Sequence, residues 1–589
     1  MAATAAERDG GERCGMVRSG CRMGGIVAAG CSAIRETLGV KFHRREFFDL
    51  SSGIFSFIVG KKMFHRHGFL ALSWGVGTPC FEGQSLDGGG RSGMAMALWM
   101  RWGEWLGDLC RSGMAAAGRC GVALVGVAVM LMLGGCDKFL DITPEGQVSR
   151  DKILETEAGV EDALYGCYAK LRHTNLYGNY MTFGGMDVLA HELSCAGNTT
   201  TEALQKFDYE NTSVQDIMEG VWTTMYNNIS NANSVINCGK VADATKYPWR
   251  VYRGEALALR AFMHFDLMRL FAKQYTRHKD ADGIPYATQF AIVTPDFEKL
   301  AKNYEHVVAD LLLAERLLDC EGEYKTADAF IRDRCIHMNL HAVRATLARV
   351  YLTMGERDKA LAYAKKVIEG SGLTLASPTT FTAAQHGMLY ETETVFGVYY
   401  SKWYEEIVGP KLQNTTSFSS YDPSASLPDC YVGTDRRGGD SRSGYFGYND
   451  GSQTLRLMKL SDENARQGAT AAGKLIPGIN MIKLCEMYYI AAECLVESDA
   501  AEAAKYLRAV YESRGVGYDA TATVTMDEIN QERYREMVGE GQEFFSRKRQ
   551  HIGFPAVKLS QGDADPQPIA PDDGIFTVPV PQVESDYRK

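Results

Sequence analysis

The chain has 589 residues, 63 Lys and Arg against 73 Asp and Glu, and a formal net charge of -10 at pH 7. That balance leaves no basic footprint for nucleic acid, whose phosphates are met by clustered Lys and Arg, so partners are expected among neutral molecules and proteins. Hydrophobic residues make up 45% of the sequence, the content of an ordinary globular chain long enough to bury a large core.

In chain order, residues 1–113 are rich in Gly, Arg and Cys and show no sustained helical or strand period. They read as an unstructured or wrongly assigned extension, with Met94, Met96, Met100 and Met114 as alternative starts. Residues 114–135 read as a lipoprotein signal peptide. Arg119 supplies the positive region, and the unbroken apolar run Gly121–Leu133 falls short of the ~20 residues that cross a bilayer. Leu133-Gly134-Gly135-Cys136 then forms a lipobox, in which two small residues let a peptidase reach the backbone before Cys136. The Cys136 thiol is the expected lipidation site, since acyl chains add about 0.8 kcal/mol of anchoring per buried methylene. Of the 15 cysteines, six precede the lipobox, one is Cys136, and the other eight scatter without metal-ligand or disulfide-framework spacing.

Residues 136–589 are expected to form the globular part. A polar tether leads to a helix over Ala158–Arg172. A second follows in which Trp222, Met225, Tyr226, Ile229, Ala232, Asn233 and Ile236 fall on one helical stripe. The next segment, Gly254–Ala272, is apolar nearly all round and should be central, with Arg260 in reach of His264 and Asp266 of Arg269. Gly283-Ile284-Pro285 breaks the pattern. Asn339–Gly370 reads as a helix pair around the turn Met354-Gly355-Glu356, with Ala348, Tyr351, Gly355 and Ala360 at tetratricopeptide spacing. Leu484–Leu495 and Ala501–Val510 repeat that pattern in part. A charged helix from Met526 to about Val538, a break at Glu540-Gly541 and an aromatic-basic continuation end the series. Two insertions interrupt it: 192–215, polar with Phe207 and Tyr209, and 395–450, rich in Gly, Ser, Asn and aromatics. Long irregular segments carrying this many aromatics are expected to be functional rather than disordered.

The lipobox, W-x-x-M-Y-x-x-I-x-x-A-N at Trp222, GEALALRAFMHFDLMRLFA at Gly254, G-I-P at Gly283, CEMYYIAAECL at Cys485, ER-x-x-E-x-x-x-EGQEFF at Glu532 and FTVPVPQVE at Phe576 occur in that order. Together they resemble the SusD/RagB family of nutrient-binding lipoproteins of Bacteroidetes outer membranes. The resemblance implies a mostly α fold of four tetratricopeptide-like helix pairs (an α-α superhelix) with irregular loop insertions and minor β. It also implies a surface-exposed, lipid-anchored location in the outer membrane, no enzymatic activity, and a SusC-like TonB-dependent transporter as partner. The implied ligand is an oligosaccharide, or a peptide in some members. By position, the resemblance makes Phe207, Tyr209, Trp403 and Tyr404 the candidate binding aromatics, with Asn198 and Asp435 as polar candidates. Asp435-Arg436-Arg437 also reads as a structural ion pair.

The residues themselves fit such a ligand. A sugar offers a patch of C–H groups to an aromatic face and a rim of hydroxyls to polar side chains. Lys402, Glu405 and Glu406 around Trp403 suggest an exposed ring, and a Trp403→Ala change is expected to weaken carbohydrate retention without unfolding the protein. The alternative is that these aromatics pack the insertions onto the helices. There is no phosphate-binding glycine loop, no HExxH and no GxSxG; His191-Glu192 begins a metalloprotease pattern that Leu193-Ser194-Cys195 does not complete. A glycan hydrolase needs only two placed carboxylates and stays open as an alternative. Glu486 and Glu493, seven apart on one helix face, read as rim or helix-terminus partners rather than an acid/base pair. Thr199, Thr200 and Thr201 read as loop. No cofactor or metal is expected, and a structural calcium ion would have no readable ligand pattern.

Overall fold

The structure, a computed structural model, describes residues 150–588 except 196, 243–244, 292–294, 321–329, 331, 379–387, 414–421, 424–438, 449–454, 461–474, 519–520, 522 and 557–566. The extension 1–113, the signal peptide 114–135, Cys136 and Asp435 therefore lie outside the described residues. All described residues fall in the second of two units into which the chain divides, Asp137–Lys589.

Helices dominate. Among the described residues the α-helices of seven or more residues are α1 (Glu157–Leu171), α2 (Thr199–Gln205), α3 (Thr212–Ile236), α4 (Trp249–Phe271), α5 (Leu300–Leu318), α6 (Leu340–Thr353), α7 (Arg357–Gly370), α8 (Leu484–Leu495), α9 (Ala500–Arg514), α10 (Met526–Met537) and α11 (Glu543–Gln550). Side chains cap the starts of many: Thr156 accepts from the Gly159 amide, Asn211 from Ser213 and Asn339 from Ala342, which satisfies amides that a helix start leaves open. Four pairs, α1/α3, α4/α5, α6/α7 and α8/α9, stack in sequence, each helix packing on the next. The tetratricopeptide-like arrangement expected from spacing is what the chain forms.

The packing explains the sequence. In α3 the predicted stripe is buried except for half-buried Tyr226, with Met225, Ile229, Ala232 and Asn233 all at 0% exposure. From Gly254 onward α4 is buried on every side but one position, Arg269, as its all-round apolar character requires. Gly254 faces α5 so closely that an added Cβ would come within 2.8 Å of Leu318. Gly355 turns α6 into α7 with φ of +78°, a conformation that glycine adopts without strain. Two expected side-chain pairs have different outcomes. Arg269 does bond Asp266, but Arg260 sends its guanidinium to Asp310 at 2.7 Å, and His264 instead uses Nδ1 on the Arg260 carbonyl at 2.9 Å.

Small antiparallel sheets decorate the stack. In chain order the strands are β1 (Leu193–Ser194), β2 (Asp282–Pro285), β3 (Phe297–Lys299), β4 (Met388–Tyr390), β5 (Thr394–Tyr399), β6 (Asp422–Pro423), β7 (Phe446–Tyr448), β8 (Leu455–Leu457) and β9 (Leu475–Lys483). β9 lies between β4 and β5 and runs directly into α8. The insertion expected over 395–450 therefore begins inside an ordered strand. TVFGV is a short continuous apolar run, buried from Thr394 to Val398, and such runs form strands covered on both faces. A second correction concerns Thr199, Thr200 and Thr201, which form the first turn of α2 rather than loop.

A buried ionic cluster fastens the late chain to the stack. Arg442 donates to Asp440 at 3.0 Å and to Glu532 at 2.7 Å, Arg514 links Glu393 and Glu536, and Lys483 reaches Glu536 at 2.9 Å and Glu540 at 2.8 Å. Arg442, Arg514, Glu532 and Glu536 are all at 0% exposure, so each charge relies on its partners in place of water. Among the described residues no helix is long and apolar enough to cross a membrane.

Candidate functional site

The two insertions meet. β1 pairs with β6, matching Leu193 to Pro423 and Ser194 to Asp422. Lys411 lies near Cys195: burial pushes that thiol up while the ammonium pulls it down. The connection after α1 joins the same region. The Trp403 indole N–H donates to the Gly178 carbonyl at 3.0 Å, and the Arg172 guanidinium lies 5.3 Å from the centre of the Tyr400 ring. Residues Tyr404–Gln413 continue as a wide π-helical segment with Pro410 inside it, a geometry that recurs at functional sites.

The sequence candidates do not gather into one site. Trp403 is 4% exposed, its ring 6.3 Å from Phe183 and its N–H committed to Gly178. Stacking a sugar needs an open ring face, so Trp403 is an anchor under the surface rather than a platform on it. The charged neighbours misled because Lys402, Glu405 and Glu406 are exposed while Trp403 alone turns inward. Tyr404 is half-buried against the core. Tyr209 is buried too, and its hydroxyl donates to the Ile575 carbonyl at 2.6 Å, a packing role in place of the expected binding one. Phe207, half-buried with φ of +54°, packs 5.6 Å from His191 and 5.5 Å from Phe554, in an aromatic cluster distinct from that of Trp403. Asn198 caps α2 by accepting from the Thr201 amide at 3.0 Å.

Directly beside Trp403 the structure shows groups that the sequence reading passed over. Tyr399, at the end of β5, is 47% exposed, among the most open large aromatics described. Tyr400 follows, half-buried between Arg172 and Glu406, its hydroxyl donating to Glu406 at 2.8 Å, with Lys402 4.0 Å from the same carboxylate. Burial, then the bond to Glu406, pushes the Tyr400 hydroxyl up to about 12, so it remains a donor at any physiological pH. The segment thus places an open ring next in sequence to a tyrosine held among an Arg, a Lys and a carboxylate. The doublet Tyr399-Tyr400 before SKWYEE was the available signal, because alternation along a strand that ends at the surface must turn one of two adjacent tyrosines outward.

Two family sequence models match consecutive parts of the chain: one described as "Starch-binding associating with outer membrane" over residues 138–352, the other as "SusD family" over residues 393–558. Together they span more than half of its length. The chain belongs to the SusD family. A curated relative, SusD-like protein P2 of Formosa agariphila, is 26% identical over 247 residues, which are 41% of this chain and 45% of that protein, so the match spans about half of the relative. Among solved structures, a SusD superfamily protein of Bacteroides thetaiotaomicron shares the fold with a TM-score of 0.57 at 22% identity, covering 72% of this chain and 97% of that one. A putative sugar binding protein of Bacteroides vulgatus gives 0.58 at 21%, covering 73% and 96%. A SusD-like carbohydrate binding protein of the same organism gives 0.57 at 18%, covering 73% and 95%.

Within this SusD fold the carboxylates that could suggest catalysis are occupied. Arg349 donates to Glu486 at 2.6 Å, and Arg533 and Arg549 each reach Glu493 at 2.6 Å. Against the cost of burial, Arg549 and Arg533 hold Glu493 at about 2. Both residues are buried ion-pair partners, not the rim groups their spacing suggested. Glu393, Cys485 and Glu536 bring three potential metal-ligating atoms within 4.8 Å of one another. Arg514 and Lys483 already supply positive charge to both carboxylates, and burial pushes the Cys485 thiol well up, so this donor set does not suit a metal ion. Asp187 and Glu192 are a buried carboxyl pair. Burial pushes Asp187 up to about 7 and, with Asp187 beside it, Glu192 well above the usual range, so the pair holds a proton where free carboxyls would have lost it.

Proposed function

We propose that this SusD-family protein is a surface lipoprotein of the outer membrane that captures oligosaccharides at the face around Tyr399, Tyr400, Arg172 and Glu406. It then delivers them to a SusC-like TonB-dependent transporter. The observation that carries the reading is the exposed ring of Tyr399, adjacent in the chain to Tyr400 with its fixed Arg172 and Glu406 partners. An open phenol ring stacks on the C–H patch of a sugar, while the Tyr400 hydroxyl, Arg172 and Glu406 answer its hydroxyls. Trp403 holds this face in place from beneath. The acylated Cys136 keeps the domain at the membrane. In this reading the protein binds its ligand without cleaving it, in keeping with the sugar-binding and carbohydrate-binding proteins of Bacteroides vulgatus whose fold it shares.

The experiment is an array of glycans and peptides probed with the purified protein, followed by mass spectrometry of every ligand retained. Retention of intact oligosaccharides supports the reading. Retention of peptides alone would move the protein to the peptide-binding alternative, and shortened glycans would make it a hydrolase.

A further inference from the structure

Between α4, α5, α6, α8, α10 and α11 lies a cavity of about 70 Å³, and none of its lining residues belongs to the Tyr399 face. Six cationic side chains line it, Arg269, Lys273, Arg349, Arg533, Lys548 and Arg549, against one carboxylate, Glu486. Two further carboxylates pair with these cations from just outside the lining, Asp266 with Arg269 and Glu493 with both Arg533 and Arg549. Lys273 is exposed, so five buried or half-buried positive groups face three negative ones, inside a chain whose overall charge is -10. The other acids nearby are engaged elsewhere: Glu543 with Arg547 at 2.7 Å, Glu540 with Lys459 and Lys483 at 2.8 Å, and Asp573 with His278 at 2.6 Å.

Lys548 is the one of these five that makes no ion pair among the described residues. It is 4% exposed, and its ammonium donates to the carbonyls of Arg269 at 2.7 Å, Ala272 at 2.6 Å and, more weakly, Leu270 at 3.4 Å at the end of α4, groups that carry no charge. Burial pulls it down to about 7, with Asp573 opposing the fall and Arg269 adding to it. Two phenols open on the same space. Tyr275 and Tyr304 line the cavity with ring centres 4.4 Å apart, and among the described residues neither hydroxyl has a hydrogen-bond partner. A buried excess of charge costs free energy until a counter-charge arrives, and Arg forks with phenol hydroxyls are the donors that oxyanions select. The volume exceeds the 10–15 Å³ or so that one water needs, which leaves room for a small anion.

We propose that this cavity is a binding site for one small oxyanion, a carboxylate or a tetrahedral sulfate or phosphate, held by Lys548, Arg549, Arg533 and the hydroxyls of Tyr275 and Tyr304. Its occupant neutralises the surplus charge where six helices converge, so binding locks α10 and α11 onto the repeat stack. The site is separate from carbohydrate capture, and its test does not depend on the sugar ligand.

The test titrates the whole protein with sulfate, phosphate and acetate at an ionic strength held constant with chloride, following thermal unfolding and heat of binding, and soaks crystals in selenate. The expected result is a saturable rise in unfolding temperature and an anomalous peak within hydrogen-bond reach of Lys548. Loss of one hydroxyl-to-anion bond in Tyr304→Phe should weaken the anion about tenfold. Lys548→Met should abolish binding; should that variant fail to fold, Tyr304→Phe carries the test alone. A response to acetate as strong as to sulfate assigns a carboxylate, and a stronger response to sulfate or phosphate assigns a tetrahedral anion. Sulfate stabilises many proteins without a site, so an unsaturable rise of equal size in wild type and variants would overturn the proposal, as would a cavity holding only water.

Discussion

Replacing Trp403 separates the anchor from the platform. The side chain is 4% exposed, packs near Phe183 and gives its indole N–H to the Gly178 carbonyl at 3.0 Å. Trp403→Ala removes a buried bicyclic ring, which costs about 3–5 kcal/mol through lost burial and the cavity left behind. It also deprives the buried Gly178 carbonyl of that donor, at about 1–3 kcal/mol, although the two terms overlap and do not simply add. Trp403→Phe keeps an aromatic ring beside Phe183 but loses the N–H, so it should cost about 1–3 kcal/mol. Urea unfolding followed by circular dichroism measures both, with the midpoint falling further for Ala than for Phe. Because Gly178 sits in the connection after α1, a weakened Trp403 should also loosen Arg172 from Tyr400 and so lower sugar affinity indirectly. A Trp403→Ala protein as stable as wild type but unable to hold carbohydrate would refute the reasoning, and would restore Trp403 as a stacking platform.

Three further outcomes are expected. Glu493→Gln should destabilise the protein by about 3–5 kcal/mol in the same urea assay, because Arg533 and Arg549 would lose their shared counter-charge; a change below 1 kcal/mol would show that other groups compensate. Asp187 and Glu192 have folded-state pKa values raised above their ordinary range, so the folded state holds a proton that the unfolded chain releases. Their contribution to stability is fullest below about pH 4 and is lost as pH rises through about 7. Relative to wild type, an Asp187→Asn, Glu192→Gln protein should therefore gain stability between those limits, and parallel pH profiles would contradict this. Metabolic labelling with an alkynyl palmitate should mark the protein in its native cell and fail in Cys136→Ser; a labelled serine variant would place the lipid elsewhere.

Much of the fold was readable because helices that bury a stripe must repeat their apolar residues. The stripe from Trp222 to Ile236 gave α3 its buried face, and the small residues Ala348, Gly355 and Ala360 marked the close approach of α6 and α7. The apolar run TVFGV was less readable, since a short continuous run carries no period and β5 is defined by its pairing with distant β9. The ionic cluster left no local trace, because Glu393, Arg442, Lys483, Arg514 and Glu536 come from segments far apart in sequence. At the site, the region was legible and the individual residues were not. Trp403 looked exposed from its neighbours, yet the turn into the π-helical segment points it inward and leaves Tyr399 outside. Rotation of one side chain at the end of a strand depends on tertiary packing, which composition does not encode.

The central claim is that an open tyrosine face captures carbohydrate. Calorimetric titration of wild type and Tyr399→Ala with an oligosaccharide retained on the array tests it most directly. Removing a stacking ring worth about 0.5–1.5 kcal/mol beyond its buried area should weaken binding roughly tenfold while the unfolding temperature stays unchanged. Equal affinities of the two proteins for every retained glycan would contradict the account.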